Sequence, residues 1–252
     1  MLYFISDLHL SNKTPGISAL FRALLERIAE EGNALYILGD LFAVWIGDDE
    51  NAPFAQDAKR LLREAANRGL KIFFQHGNRD FLVGDTFARA AQLTILPDPY
   101  RLEVPTAPDA PQKSLLLTHG DILCTEDAKY QALRRKVRNP DWQRKMLRIP
   151  RFMRRMYAFA LKTGSMREKG RKTDYQMDVS DHAVEEMIRG HGKRPLALLH
   201  GHIHRPGQYR HLVDDLPVER WVLADWAEDR GEYLTWNGEA LTRHALPFPA
   251  GD

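Results

Sequence analysis

The chain has 252 residues and a net charge of only +2. Its length and its 44% of hydrophobic residues are enough for one large domain or two small ones. Its single cysteine, Cys124, excludes an internal disulfide framework, favours a reducing compartment and is expected to be a small buried residue. No stretch reaches the roughly 18–20 apolar residues of a spanning helix and the N-terminus lacks a basic signal region, so we expect a protein that is soluble or bound only at a membrane surface.

The first 120 residues alternate between strand-like and helix-like segments. The predicted strands are short apolar runs at residues 2–6, 34–38, 71–75 and 114–118. Residues 17–31 and 54–68 carry apolar side chains at helical spacing and are each followed by a glycine, which predicts two helices. Strands this apolar, alternating with helices, indicate a sheet that is covered on both faces.

The last quarter of the chain has a different pattern. Residues 179–190 predict a capped helix, and residues 195–200 predict another buried strand. From about residue 208 apolar and polar residues alternate, and the WNGE turn at 236–239 predicts a hairpin. We therefore predict an α/β sandwich whose second sheet is partly antiparallel.

The positive charge of the chain is concentrated in one segment. Residues 134–172 contain 15 Lys or Arg and two acids, a net charge of +13, so the remainder of the chain carries −11. A mildly basic average therefore conceals a strongly basic segment on an acidic body. We predict that residues 133–175 form a basic helical cap on a core made of residues 1–132 and 176–252.

Residues 149–161 within this cap have the pattern of an amphipathic helix. Its apolar side comprises Ile149, Phe152, Met153, Met156, Tyr157 and Ala160. Arg151, Arg154 and Arg155 lie on the other side, and an ordinary explanation is a helix packed on the body with a solvated cationic face. We favour a lipid partner for the cap, because the cations attract anionic headgroups and the Met/Phe/Tyr side suits acyl chains. Nucleic acid is the rival partner, but the aromatic residues are not interleaved with the charges as base-stacking platforms.

Side chains that bind metals follow five of the predicted strands. They are Asp7 and His9, then Asp40, then Asn78 and Asp80, then His119 and Asp121, then His202 and His204. Each motif alone has an ordinary explanation as a helix cap, a turn or a satisfied polar residue. Because ligands bind at the carboxyl ends of strands in open α/β sheets, five such motifs together indicate one site.

The mixture of ligands predicts a site for two divalent ions roughly 3.5–4 Å apart, of the kind that activates water for attack on a phosphoryl group. Asp40 is the expected bridge. One ion is assigned to Asp7, His9 and His204, and the other to Asn78, His119 and His202. Imidazole together with carboxylate favours Mn, Fe or Zn over Ca or Mg.

The motifs DLH, GD, GNRD, HGD and GHIH resemble the calcineurin-like metallophosphoesterase superfamily. Residues 35–49, 76–82, 118–130 and 199–206 are similar to one family within it, the UDP-2,3-diacylglucosamine diphosphatases of lipid A biosynthesis. This resemblance implies the superfamily's fold, a sandwich of two mixed β-sheets flanked by helices, with the basic insert as a cap.

The resemblance also implies roles for particular residues. The implied metal ligands are Asp7, His9, Asp40, Asn78, His119, His202 and His204. The implied catalytic residues are Asn78, Arg79 and His202. The implied substrate contacts are Asn78, Arg79, Asp127, Ser165, Lys169, Lys172 and His202, of which Lys169 departs from the family's pattern.

The activity implied by the resemblance is hydrolysis of the pyrophosphate bond of UDP-2,3-diacylglucosamine to UMP and 2,3-diacylglucosamine 1-phosphate (lipid X). A metal-activated hydroxide would attack the α phosphorus, with two divalent ions, expected to be Mn²⁺, as cofactors. The implied location is the cytoplasmic face of the inner membrane, as a peripheral protein on an anionic surface. We expect no nucleic acid and no obligate protein partner.

Arg79 replaces a histidine that usually protonates the leaving oxygen in loops of this kind, which commonly carry the pattern G-N-H-D/E. A phosphate monoester leaving group, with a second pKa of about 6, departs without such an acid. We therefore interpret Arg79 as a mark of specificity for pyrophosphate bonds. Two alternatives stay open: a binuclear-metal phosphodiesterase or nucleotide pyrophosphatase acting on soluble nucleotides, and a scaffold protein without catalysis, which predicts gaps in the ligand set.

Overall fold

A computed structural model describes residues 1–104, 112–169 and 178–248 of the chain, with the side chains of residues 161–169 outside this description. The strands are β1 Leu2–Ile5, β2 Ala34–Leu38, β3 Lys71–Gln75, β4 Leu93–Ile95, β5 Tyr100–Val104, β6 Lys113–Leu117, β7 Ala197–His200, β8 Gly207–Val213, β9 Leu216–Val222, β10 Arg230–Trp236 and β11 Leu241–Pro247. The α-helices are α1 Pro15–Glu31, α2 Pro53–Asn67, α3 Asp85–Ala91, α4 Ala128–Val137, α5 Pro140–Leu147, α6 Arg151–Lys169 and α7 Asp181–Gly190.

The strands form two mixed sheets, which confirms the predicted fold class. One sheet has the order β11-β10-β1-β2-β3-β4, in which β1 to β4 are parallel and β10 is antiparallel to both of its neighbours. The other has the order β5-β6-β7-β9-β8, in which the three inner strands are parallel and both edge strands antiparallel. The predicted hairpin joins β10 to β11, and Asn237 Oδ1 accepts from the backbone amides of Glu239 and Ala240.

Apolar layers lie on both faces of each sheet. Phe4, Leu117, Leu199 and Trp236 belong to the cluster shared by the two sheets. The first sheet's other face is covered by α1 and α2, whose apolar positions are buried as their helical spacing predicts. The second sheet's other face is covered by α7. Because both faces are buried, the parallel strands need apolar residues at consecutive positions, and their polar chemistry is confined to their ends.

The three helices α4, α5 and α6 occupy the chain between β6 and α7 and overlap the predicted cap of residues 133–175, although α4 begins at Ala128, within the predicted core. These three helices are called the cap below. Ile149 and Tyr157 pack against the core as expected, but Phe152 and Met156 are 67% and 69% exposed. The expected solvated cationic side is wrong for Arg154, which is 4% exposed. Among the described helices, none combines the length and apolar content needed to cross a bilayer.

The cause of this reversal is an acidic loop on the core. The guanidinium of Arg154 donates to the Asp49 carboxylate and to the backbone oxygen of Ile46, and its Nε donates to the oxygen of Ile149 over 2.8 Å. Arg155 pairs with Glu50 at 3.0 Å. These ion pairs join the cap to the loop and turn part of the apolar side of α6 outward.

Candidate metal centre and its cleft

The predicted metal ligands meet at one edge of the sandwich, beyond the carboxyl ends of five strands. Asp7 follows β1, Asp40 follows β2, and Asn78 follows β3. His119 follows β6, and the loop after β7 carries both His202 and His204. Two groups of side chains have ligand atoms within 4.8 Å of one another, Asp7 with His9 and His204, and Asp7 with Asp40 and His119.

The first group is centred on one oxygen of Asp7. Asp7 Oδ1 lies 3.3 Å from His204 Nε2 and 3.9 Å from His9 Nε2, and the two imidazole nitrogens are 3.4 Å apart. His204 Nδ1 faces the carboxylate of Asp225 at 3.5 Å. A carboxylate behind a histidine orients the ring of a metal ligand and fixes its tautomer. No motif in the sequence indicates Asp225 as a partner of His204.

The second group lies between Asp40 and the amide of Asn78. Asp40 Oδ1 lies 3.8 Å from His119 Nε2. Asn78 Oδ1 lies 3.0 Å from His119 Nε2 and 3.0 Å from His202 Nδ1. The remaining ring nitrogen of His119 is 2.9 Å from the backbone oxygen of Leu38, which leaves Nε2 directed into the centre.

Backbone strain is concentrated at these ligands. Of the eight non-glycine residues with positive φ in the described part of the chain, five are predicted metal ligands: Asp7, His9, Asp40, His202 and His204. A left-handed backbone costs roughly 1–2 kcal/mol per residue and persists only where the surroundings determine it. Strain of this kind clusters at functional sites, so the backbone supports the assignment made from the side chains.

The protonation of the centre follows from its burial. Burial raises the pKa of Asp40 to about 7, and the Asp40 and Asp7 carboxylates, acting against burial, raise the pKa of His119 to about 9. Burial lowers the pKa of His9 to about 4 and that of His202 to about 3. These two imidazoles are therefore neutral at neutral pH, with lone pairs available to a metal.

The residues at this centre fit two divalent ions. Asp7 Oδ1 is buried and has no hydrogen-bond partner in the described part of the chain, and such an atom is costly unless a ligand satisfies it. Burial would raise the pKa of Asp7, but the nearby imidazoles of His204, 3.3 Å from Oδ1, and of His119 hold that pKa below the ordinary range. An ionised carboxylate with an unsatisfied oxygen, surrounded by imidazoles, suits borderline ions such as Mn, Fe or Zn.

Arg79 connects the centre to an open cleft, which encloses about 870 Å³ when the solvent at its mouth is counted. Its backbone amide donates to Asp40 Oδ1 over 2.8 Å, and it lines the cleft together with Asn78. The other walls are largely apolar and come from the core and the cap, including Trp45, Phe81, Leu133, Trp142, Met146 and Tyr157. The cleft thus joins the polar groups of the candidate centre to walls that are largely apolar, among which Arg134, Arg138 and Arg154 also lie.

Asp121 fixes the first cap helix to the metal centre. Its buried carboxylate accepts from the Tyr130 hydroxyl over 2.8 Å and lies 2.9 Å from Arg134 Nε and 3.6 Å from Arg138 Nη2. The Tyr130 ring stacks on His202 with centroids 5.9 Å apart. The sequence motif HGD contains Asp121, but the sequence gives no indication that its partners lie on the cap.

Of the predicted substrate contacts beyond the centre, the structure describes the side chain of Asp127 alone. Asp127 is half-buried at the start of α4, where its side chain accepts from the amide of Tyr130 over 3.1 Å and caps the helix. The side chains of Ser165 and Lys169, and the whole of Lys172, lie outside the described residues. Cys124 is buried, as the sequence predicts.

Comparisons with known proteins bear on this site. The family profile of calcineurin-like phosphoesterases matches residues 1–206. The UDP-2,3-diacylglucosamine hydrolase of Aromatoleum aromaticum is 46% identical over 235 residues, which cover 93% of this chain and 92% of the relative. The protein of the same name from Azotobacter vinelandii is 41% identical over 245 residues, 97% of each chain. The one from Pseudomonas aeruginosa is 41% identical over 246 residues, 98% of each chain.

Proposed function

Because the chain belongs to the calcineurin-like phosphoesterase family and, within it, to the family of the UDP-2,3-diacylglucosamine hydrolases, we propose that it hydrolyses UDP-2,3-diacylglucosamine. The products are UMP and 2,3-diacylglucosamine 1-phosphate, and the step belongs to lipid A biosynthesis. The observation that carries this proposal is the cleft, because it joins the candidate metal centre, through Arg79 and other arginines, to largely apolar walls that suit acyl chains. A soluble nucleotide would leave those apolar walls unused.

The residues of the centre have separable roles in this reaction. Asp7, His9 and His204 would hold one divalent ion, Asn78, His119 and His202 would hold the other, and Asp40 would be shared. Such ions, which we propose to be Mn²⁺, would supply an activated water and neutralise charge on the phosphoryl oxygens. Asn78, Arg79 and His202 bind the reacting phosphate and orient the uridylyl phosphorus for in-line attack.

Arg79 suits a leaving group that needs no proton. The leaving group is a sugar 1-phosphate, whose oxygen is stable as an anion near neutral pH because its second pKa is about 6. A guanidinium grips such a phosphate with two parallel hydrogen bonds and keeps its charge at any physiological pH. The backbone amide of Arg79 holds the loop to Asp40 Oδ1 over 2.8 Å, and the residue lines the cleft.

The cap provides the lipid-binding part of the cleft. Trp142, Met146 and Tyr157 supply apolar surface for acyl chains, and Met in particular adapts to irregular ligands. We assign the sugar and diphosphate contacts to Asp127, Ser165, Lys169 and Lys172. The N-cap bond of Asp127 holds its carboxylate at the start of α4.

The outer surface of α6 suits an anionic membrane. Phe152, Met153, Met156 and Phe159 are 49–72% exposed there, and Arg155 is exposed beside them. Exposed apolar residues rimmed by cations bind the headgroup region of anionic bilayers, at about 1 kcal/mol per basic residue near the surface. We assign the protein to the cytoplasmic face of the inner membrane, bound through this surface.

Sedimentation with phosphatidylglycerol vesicles tests the membrane assignment. Phe152→Ser/Met156→Ser should release the protein from the vesicles and leave its turnover of detergent-solubilised substrate unchanged. Leu216→Ser, which removes a 51% exposed leucine of β9, is the matched control and should bind as the wild type does. Equal binding by all three proteins would contradict the assignment.

Release of UMP from micelles of UDP-2,3-diacylglucosamine tests the activity. We expect Mn²⁺-dependent release that a chelator abolishes, and much slower cleavage of bis(p-nitrophenyl) phosphate under the same conditions. Preference for soluble diesters or dinucleotides over the lipid would favour the alternative, a phosphodiesterase or nucleotide pyrophosphatase for soluble substrates. Mn²⁺ binding without turnover of either substrate would favour a scaffold.

A further inference from the structure

A buried arginine behind the metal centre is paired with two histidines. Arg220 of β9 is 6% exposed, and its hydrogen-bond partners among the described residues are His211 of β8 and His200 at the end of β7. Its Nε donates to His211 Nε2 over 2.9 Å, its Nη1 is 3.2 Å from His200 Nε2, and its guanidinium lies 4.2 Å from the ring centroid of Tyr209. Burying a cation without a paired carboxylate costs desolvation free energy. A residue kept at such a cost is a candidate for a functional role.

The chemistry of Arg220 selects one tautomer of His200. A guanidinium carries only donors, so His200 Nε2 must accept, and the hydrogen of the neutral ring then lies on Nδ1. That nitrogen lies 2.9 Å from the backbone oxygen of Gly201 and donates to it. Arg220 thereby directs a hydrogen bond of His200 onto the first residue of the metal-ligand loop, residues 201–204.

The metal-ligand loop needs such support because its backbone is strained and crowded. His202 and His204 have φ values of 70° and 54°. A Cβ on Gly201 would lie 2.1 Å from Asp7 Oδ2, so the loop approaches the first metal ligand as closely as glycine allows. The amide of His202 donates to that same oxygen over 2.9 Å. A displacement at Gly201 would therefore move three predicted ligands together.

We propose that Arg220 and His200 are positioning residues that hold the metal-ligand loop, so that His202 and His204 present their rings to the two ions. The inference rests on the proposed function, because it assumes that those rings bind metal. Neither positioning residue is itself a predicted ligand. Together with His211 they form a polar diagonal across β8, β9 and β7, which ends at the loop.

The test is the Mn²⁺ affinity of the metal-free full chain, measured by titration calorimetry at a temperature where circular dichroism shows each variant folded. Arg220→Met and His200→Leu should weaken Mn²⁺ binding by about tenfold, the lower end of the range for residues that support metal ligands. His200→Asn should keep wild-type affinity, because its amide nitrogen takes the place of Nδ1 and donates to Gly201. Arg210→Met removes an exposed arginine of β8 and should change nothing.

The double variant His200→Asn/Arg220→Met separates positioning from packing. If Arg220 acts through the tautomer of His200, its removal costs no further Mn²⁺ affinity once asparagine supplies the donor. A tenfold loss in both backgrounds, or wild-type affinity in Arg220→Met, would overturn the inference. If Arg220→Met does not fold, the Mn²⁺ affinities of His200→Leu and His200→Asn are compared instead. Equal affinities of these two variants would overturn the inference. A wild-type chain that binds no Mn²⁺ would contradict the proposed function itself.

Discussion

The metal centre and the cap hold their charges in opposite ways. At the centre, Asp7, Asp40 and His119 are buried and five predicted ligands lie on strained backbone. Asp7 Oδ1 has no hydrogen-bond partner among the described residues. In the cap, arginines pair with acids of the core loop, as Arg154 does with Asp49 and Arg155 with Glu50. An unsatisfied buried anion indicates that a cation binds there, whereas satisfied ion pairs indicate that the cap is attached to the core. We infer that the centre catalyses the reaction and that the cap binds the lipid part of the substrate.

The largest effect that separates the two regions is expected at the bridging carboxylate. Asp40→Asn should lower kcat by about 10³-fold on both the lipid substrate and a small phosphodiester, because electrostatic stabilisation at the reacting phosphorus is lost. Metal content by elemental analysis should fall as well. Asp57→Asn, on the exposed surface of α2, is the control. Unchanged kcat in Asp40→Asn would remove the centre from the mechanism.

A smaller effect, confined to pyrophosphate bonds, is expected at Arg79. Arg79→His should lower kcat/KM on UDP-2,3-diacylglucosamine by about 10²-fold, because one charged phosphate contact is lost. The same variant should gain activity on alkyl diesters, whose poor leaving groups benefit from a proton donor. Both rates are measured with one enzyme preparation. The interpretation of Arg79 fails if the variant loses nothing on the first substrate and gains nothing on the second.

An effect on the cap alone is expected at Arg154. Arg154→Met removes donors to Asp49 and to two backbone oxygens. Because Asp49 is half-exposed, the free energy that holds the cap on the core should fall by only about 1 kcal/mol. That corresponds to about a fivefold higher KM for the lipid substrate, with kcat on a small diester unchanged. Arg148→Met removes an equal charge from an exposed cap position and should leave KM alone. A fall in kcat on both substrates would show that cap and centre do not act separately.

The smallest effect concerns the protons of the centre. Without metal, His119 keeps its proton up to about pH 9 and Asp40 up to about pH 7, and both must lose it to bind an ion. Mn²⁺ binding near pH 6.5 should therefore release about one to two protons, and the apparent affinity should rise with pH up to about 9. Calorimetry in buffers of different ionisation enthalpy measures the number. Affinity that falls over this range would contradict the assignment of His119 as a ligand.

The sequence predicts the centre better than the cap, and the reason is physical. Each predicted ligand follows an apolar strand, and parallel strands bring their carboxyl ends to one edge without further information. The orientation of α6 depends instead on Asp49 and Glu50, about a hundred residues earlier in the chain, which no local periodicity encodes. Asp225, which faces the predicted ligand His204, and Arg220, which contacts His200, likewise depend on tertiary contacts and are not indicated by local sequence patterns.

The most direct test of the account is hydrolysis of UDP-2,3-diacylglucosamine in ¹⁸O-labelled water with Mn²⁺, followed by mass spectrometry of both products. Attack on the uridylyl phosphorus at the centre, with the lipid phosphate leaving beside Arg79, predicts one ¹⁸O in UMP and none in 2,3-diacylglucosamine 1-phosphate. Label in the lipid product, or no cleavage of this substrate, would contradict the account.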